Sequence, residues 1–425
     1  MRFMFITLFI SLFVTASAYA QKDAANVGAR LMQDASIKAA LEALRASEPQ
    51  TIEDQVRLCE VEAPPFKESK RAELYARMLK EAGLTNVRLD KEGNVLGEKR
   101  GTLPRSAAAA GGGPHLVFSA HLDTVFPEGT NVTVKREGTM LRGPGIGDDC
   151  RGLAVVLAVA RAMTKGNLQT PGTITFVGTV GEEGLGDLRG VKYLFREGMK
   201  GQIDRFVSVD GTGLGITHTA VGSLRYRVTF KGPGGHSYGA FGMVNPIQAL
   251  GRAMARIADF EVPRDPKTTF NVGRIGGGTS VNAIPFEAWA EVDMRSADQA
   301  ALKALDAKFH KAVDDAVAEE NARWGSRQLT VEKALVGDRP AGGTPAESPI
   351  VLAAVSATKA LGLMTTLDEG STDSNTPMSL GIPAITIDGG GRGSGAHALN
   401  ESFDSTNSWQ GTQRALLIAL ALAQP

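Results

Sequence analysis

The pattern that most limits how this chain can fold is an alternation of short apolar runs with helix-length stretches, broken once by a segment of different texture. His115–Ala120 (HLVFSA), Thr173–Val180 (TITFVGTV), Phe206–Val209 and Ala384–Ile387 are short and almost continuously apolar, the mark of strands buried on both faces. Gly152–Met163 (GLAVVLAVARAM) reads as a largely buried helix, and a further helix is expected at Pro349–Ala360. Residues 27–47 and 67–83 carry apolar positions at helical spacing. Strands alternating with helices predict an α/β fold in which helices cover a mostly parallel sheet.

From about Ser223 the periodicity changes. Leu224–Phe230 (LRYRVTF) alternates apolar and polar residues, as a sheet with one wet face requires. A helix at Pro246–Ala258, strands near Thr269–Ile275 and Glu287–Met294, a long amphipathic helix from Asp298 to about Ala322, and a strand at Gln328–Ala334 follow. That β-α-β-β-α-β order predicts a small α+β, ferredoxin-like domain. The α/β texture returns after about Val336, so residues 223–335 are expected to be inserted into a larger domain made of 21–222 and 336–425.

Residues 1–20 are expected to be a signal peptide. Arg2 precedes an apolar and hydroxyl run, Phe3–Val14, and Ala18-Tyr19-Ala20 is a small-x-small cleavage signature. The run is shorter than the roughly 20 residues needed to span a bilayer. The mature chain is thus expected to begin at Gln21, to be periplasmic or secreted, and to have no membrane attachment after cleavage. Ser106–Pro114 (SAAAAGGGP) reads as a mobile surface spacer. Lys+Arg and Asp+Glu both total 46, which gives no electrostatic reason to expect nucleic acid as a partner. Cys59 and Cys150 are two thiols only, too few for a disulfide framework.

The acids and imidazoles fall where such a sheet would gather them. His121 and Asp123 follow one predicted strand, Glu182 and Glu183 a second, and Asp210 a third; His397 lies beyond the fourth. Asp148 sits in a Gly-rich turn (GPGIGDDCRG) ahead of a helix. Each alone has an ordinary explanation: a turn Asp, a Glu pair at a helix start, a loop His. Together they point from five segments toward the carboxyl ends of the strands, where open α/β sheets bind ligands. So much negative charge on one rim calls for cations, and a mixed His/carboxylate set suits zinc or a similar divalent ion. Two close metals need a shared ligand, and Asp148 in a rigid turn fits that part.

His121-Leu-Asp-Thr-Val125, Gly145-Ile-Gly-Asp-Asp-Cys-Arg-Gly152, Gly181-Glu-Glu-Gly184 and Val209-Asp-Gly211 resemble, in order, the motifs of the M20 family of metallopeptidases. The resemblance runs from about Ile52 to the C-terminus. It implies a catalytic domain interrupted by a lid or dimerisation domain, and two divalent ions, zinc first with cobalt or manganese as alternatives. It implies that His121 and Asp210 hold one metal, that Glu183 and His397 hold the other, and that Asp148 bridges them with a cis peptide bond after it. Asp123 is then expected to hydrogen-bond His121, and Glu182 to act as general base toward the attacking water and then as acid toward the leaving amine.

In the inserted segment, Gly232-Pro-Gly-Gly-His236-Ser-Tyr-Gly resembles the stretch where relatives place an oxyanion-stabilising His, often across a dimer. Ser280-Val-Asn282 and Asp293-Met-Arg295 match positions used to grip a substrate carboxylate, although Arg295 has an ordinary alternative as a strand residue paired with Asp293. Gly370-Ser-Thr-Asp373 resembles a loop close to the site, and His115, His218 and His310 read as structural.

The expected function is hydrolysis of short peptides with an aminopeptidase leaning, carried by Asp210 and by the Cys59–Glu68 stretch. An N-acyl amino acid deacylase or glutamate-type carboxypeptidase is the alternative within the family, and an inactive metal-retaining binding protein the alternative outside it. A homodimer through 223–335 is the expected assembly. The chain has no Gly-x-Ser-x-Gly elbow and no P-loop signature.

Overall fold

Four short apolar-rich runs cannot each find a wet face, and the computed structural model places them side by side. It describes residues 21–105 and 112–425. The predicted signal peptide lies outside the described residues, as does most of the Ser106–Pro114 spacer; its described end, 112–114, is buried instead of lying on the surface. Among the described residues no helix is long and apolar enough to cross a membrane.

Thr173–Thr179, His115–His121, Arg205–Val209 and Ala384–Ile387 form, in that order, the parallel centre of a nine-stranded mixed sheet. Antiparallel strands flank it, with Val95–Lys99 and Thr85–Leu89 on one side and Ile216–Ala220 on the other. The fold is therefore α/β with a mostly parallel central sheet. On one face Leu116, Phe118, Ala120, Val207, Val209, Ile385 and Ile387 join a core with the helices Cys150–Lys165, Pro349–Ala360 and Trp409–Leu422. On the other, Phe206 meets Phe195 edge-on, with ring centroids 5.7 Å apart. Each fully buried Val, Leu, Ile or Phe side chain among these contributes about 1.5–3 kcal/mol.

Helix Cys150–Lys165 is capped by Asp149, which accepts the Gly152 N–H at 3.0 Å. A Cβ at Gly152 would lie 2.2 Å from the Val209 carbonyl oxygen, so only glycine lets this helix approach the strand end so closely.

The N-terminal helical region departs from the reading of a single helix over 27–47. Residues 21–31 are helical, the chain breaks, and Asp34 then caps a second helix, Ala35–Ala46, accepting the N–H groups of Ser36 and Ile37. A further helix, Glu48–Cys59, was not anticipated; its mean hydropathy is low because it buries polar residues such as Glu48, Asp54 and Gln55.

Contacts divide the chain into two units, one of residues before Ala220 together with Gly343–Pro425, the other Ala220–Gly342. The second unit is a little longer at both ends than 223–335, because its first and last long strands, Gly222–Lys231 and Thr330–Arg339, run past those limits. Its antiparallel sheet has the order Thr268–Gly277, Glu287–Ser296, Gly222–Lys231, Thr330–Arg339. Helices Pro246–Ala258 and Gln299–Arg323 supply Leu250, Ala253, Ile257, Leu305, Phe309 and Val313 to a core with Val228, Phe230, Ala290 and Val292. This is the ferredoxin-like order.

Candidate metal centre

Parallel strands paired in register end at one rim. His121 is opposite Thr179, and Ile387 is opposite Val209. The residues at or just after those ends therefore converge: His121 and Asp123, Glu182 and Glu183, and Asp210. Gly181, at φ +68°, turns the chain so that the two glutamates follow at the rim. Asp148 enters from the Gly-rich turn, with the Asp148–Asp149 peptide cis, and His397 from the segment beyond Ile387, at φ +67°.

Three clusters have potential ligand atoms within 4.8 Å of one another: His121, Asp148 and Asp210; Asp148, Glu183 and His397; and His121, Glu182 and Glu183. The first two share Asp148, whose two oxygens face different partners. Its Oδ1 is 3.0 Å from His121 Nε2, and its Oδ2 is 3.2 Å from His397 Nε2. His397 Nε2 also lies 2.9 Å from Glu183 Oε1. All five expected ligands thus lie in one cluster, in the predicted groups of three.

The charges explain one another. Burial works to lower the pKa of His121, but the Asp123 and Asp148 carboxylates outweigh it and hold the imidazole well above its ordinary value. His397 is pushed up to about 10 by Asp148 and Glu183. Burial would raise Asp148, yet the two imidazoles keep it below the usual carboxylate range. Asp210 is raised to about 7, by burial first and then by the charges of Asp148, Glu183 and Asp373. Protons thus stand in for positive charge in a partly buried group of carboxylates. A donor set of two imidazoles and three carboxylates, sharing one carboxylate with an oxygen toward each side, fits two divalent cations.

Asp123 does something different from the expected hydrogen bond to His121. His121 Nδ1 is 3.0 Å from the main-chain oxygen of Asp123 but 3.7 Å from its carboxylate. The carbonyl therefore takes the Nδ1 proton and leaves Nε2 as the ligand atom. The buried Asp123 carboxylate instead accepts the N–H of Glu182 at 3.0 Å and of Glu183 at 2.8 Å. It aligns the two glutamates with each other.

The second unit brings together two other expected residues. His236 lies on a two-stranded ribbon, Gly235–His236 paired with Ala283–Ile284, and Asn282 directly precedes the second strand, its carbonyl accepting the Ser237 N–H at 3.0 Å. His236 Nδ1 accepts the N–H groups of Tyr238 and Gly239, each at 3.2 Å. An accepting Nδ1 puts the neutral ring's proton on Nε2. Arg295 donates from Nε to Asp293 at 2.7 Å, the ordinary strand pairing, while Arg225 takes the other Asp293 oxygen at 3.2 Å.

A model of the peptidase family M20/M25/M40 matches residues 117–421, well over half of the chain. The chain belongs to this family. The M20 chain is 26% identical over 353 residues to YqjE of Bacillus subtilis, covering 80% of this chain and 90% of that one. It is 28% identical over 291 residues to carboxypeptidase G2 of Pseudomonas sp., covering 63% and 67%. Its fold matches a tripeptidase of Staphylococcus aureus with TM-score 0.71 at 22% identity, covering 88% of this chain and 98% of that one. It also matches the YXEP protein of Bacillus subtilis, described as a dinuclear metal binding peptidase, with TM-score 0.62 at 19% identity, covering 88% and 99%. M20 peptidases are dinuclear metal enzymes, and this chain is a hydrolase of peptide or amide bonds.

Three supporting residues of this M20 peptidase escaped the sequence reading. Arg71, fully buried, donates to the carbonyls of Val61, Leu122 and Cys59, fixing the backbone between His121 and Asp123. Asp149 accepts the His121 N–H at 3.0 Å. Glu401 gathers N–H groups of the Asp148 turn. Arg71 lies on a helix far upstream and carries no local mark. Glu401, four residues after His397, was the one with a signal, an acid in the same segment as a ligand. Asp373 is buried and accepts the Thr179 hydroxyl at 2.5 Å. The structural histidines have mundane partners: His115 Nε2 with Thr175 at 2.7 Å, His218 Nδ1 with the Thr344 carbonyl at 2.9 Å, and His310 with the Tyr226 hydroxyl at 3.3 Å.

Proposed function

We propose that the chain is an exported dinuclear zinc peptidase that hydrolyses short peptides from the amino end. The observation that carries the dinuclear reading is Asp148, with one carboxylate oxygen toward His121 and the other toward His397. In this reading His121 and Asp210 hold one ion, Glu183 and His397 the other, and Asp148 both. Two bound cations supply Lewis acidity toward the scissile carbonyl and toward water.

The chain's own groups do the rest. Glu182, held beside Glu183 by the Asp123 carboxylate, accepts a proton from the attacking water and returns it to the leaving amine. The Glu183 side chain stays with His397, so adjacent residues have separate tasks. His236 presents Nε2–H as a donor for the developing oxyanion because its Nδ1 is already occupied as an acceptor. Asn282, joined to the same ribbon, and Arg295 are assigned to the substrate's polar end; Arg295 keeps free nitrogens for this because its pairing with Asp293 runs through Nε. The exposed Tyr238, Phe241 and Phe286 on the second unit support a homodimer through this domain.

The aminopeptidase preference rests on Asp210 and on the Cys59–Glu68 stretch. The test is metal analysis followed by hydrolysis of a panel of di- and tripeptides, N-acyl amino acids and C-terminal glutamyl substrates. Two zinc ions per chain and a preference for free-amine peptides are expected. Cleavage of only the N-acyl or glutamyl substrates would transfer the assignment to a deacylase or carboxypeptidase, and metal uptake with no hydrolysis would leave a binding protein.

A further inference from the structure

Asp148 can serve two sides only if its backbone is held in one place, and the atoms that hold it come from the far end of the sequence. Glu401 is 2% exposed. Its Oε1 accepts the N–H groups of Gly147 at 2.7 Å and Asp148 at 2.9 Å, and its Oε2 accepts the N–H of Gly145 at 3.0 Å. Its own carbonyl accepts the Gly143 N–H at 3.0 Å, and the next residue, Ser402, pairs with Arg142 in a small antiparallel sheet. One residue thus binds four backbone donors of the segment that presents Asp148.

The same residue closes the segment that presents His397. Glu401 N–H donates to the Ala398 carbonyl at 3.0 Å, and Ala398 N–H to Gly395 at 2.9 Å, so the His397 turn is folded against Glu401 itself. The two ligand-bearing segments are far apart in sequence and are joined here by one carboxylate. Three convergent N–H donors need an acceptor-only group. The amide of Gln would turn a donor toward at least one of them. The fit is close as well: a Cβ at Gly147 would lie 3.1 Å from Glu401 Oε1.

The geometry points to Glu401 as a positioning residue that sets Asp148 relative to His397, and so governs the ion held by Asp148, Glu183 and His397 more than the ion held by His121 and Asp210. This rests on the reading of Asp148 as a shared ligand. Partners in the layer behind metal ligands are worth about 10–100-fold in metal affinity.

Cobalt titration of the full mature chain, followed by absorbance and by calorimetry, tests this. Wild type should bind in two steps. Glu401→Gln should weaken one step about 10–100-fold and change its cobalt absorption band, with the other step changed far less. Gly147→Ala, which crowds the carboxylate without removing it, should weaken the same step and serves if Glu401→Gln does not fold. Two unchanged steps in either variant would overturn the assignment, and so would equal weakening of both steps in proportion to a fall in thermal stability. Wild-type protein that takes up no cobalt would overturn the metal reading itself; two wild-type steps with an indifferent Glu401→Gln would overturn only the role of Glu401.

Discussion

Asp123→Asn removes the alignment of the two glutamates, and the carboxylate's charge beside His121, without replacing any of the five candidate metal ligands. The carboxylate is fully buried and accepts one backbone N–H on each oxygen, from Glu182 at 3.0 Å and Glu183 at 2.8 Å. An amide has the same shape but one acceptor. Whichever way it flips, its NH2 faces one of the two N–H groups, and that donor loses its partner. A buried donor left unmade costs about 1–3 kcal/mol, and the surviving bond loses its charge-assisted share, about 1 kcal/mol. The sum is about 2–4 kcal/mol of stability. His121 should keep its tautomer, because its Nδ1 proton goes to the main-chain oxygen of Asp123, which the substitution leaves in place. Urea unfolding of the two proteins measures the stability term, and metal titration with steady-state kinetics measures the functional one. The expected result is a fall in kcat larger than the rise in KM, with metal affinity lowered about 10–100-fold. A stability loss below about 0.5 kcal/mol, of the size expected for an ordinary surface substitution, would refute the alignment argument.

Glu182→Gln should cut turnover by about 10²–10⁴-fold while both metals stay bound, and normal turnover would remove Glu182 as the base. A strong chelator should abolish activity and added divalent metal should restore it; a chelator-resistant enzyme would contradict the metal centre. Metal uptake should release protons, since His397 is raised to about 10 by Asp148 and Glu183 and must give up its proton to become a ligand. Apparent affinity should therefore fall as pH drops from that value through neutrality, about tenfold per pH unit for each proton released, and calorimetry in buffers of different ionisation enthalpy reads it directly. His236→Ala should reduce kcat by about 10²–10³-fold with metal affinity unchanged, and an unchanged kcat would rule out the oxyanion role.

The main architecture was legible because periodicity records burial. Strands such as Ala384–Ile387, apolar but for Thr386, belong in the middle of a covered sheet, while Gly222–Lys231 alternates and lies in the antiparallel one. The residues gathered at the rim were legible because parallel strands place their ends together, which turns five separate motifs into one location. Less legible was anything that depends on a polar side chain meeting a distant backbone. Arg71, Asp149 and Glu401 work through main-chain atoms, which have no identity in the sequence. The same limit hid how Asp123 works: the resemblance paired its side chain with His121, whereas its main-chain oxygen is the nearer partner of His121 Nδ1 and its carboxylate takes the N–H groups of Glu182 and Glu183. Helix Glu48–Cys59 was missed for a related reason, since its buried positions include acids satisfied by Arg151 and Arg161.

The second unit leaves the first at Thr219 and returns at Gly343, and the gap between exit and entry is almost nothing: Thr344 N–H donates to the His218 carbonyl at 2.8 Å. Closing such short ends around a long excursion costs little loop entropy, and the cost grows only slowly with the length of what is inserted. The excursion can therefore lengthen, shorten or be exchanged as a cassette without retuning the sheet that carries the metal ligands. A lineage built this way can exchange one contiguous stretch of chain while the sheet that carries His121, Asp210 and the other candidate ligands is inherited intact.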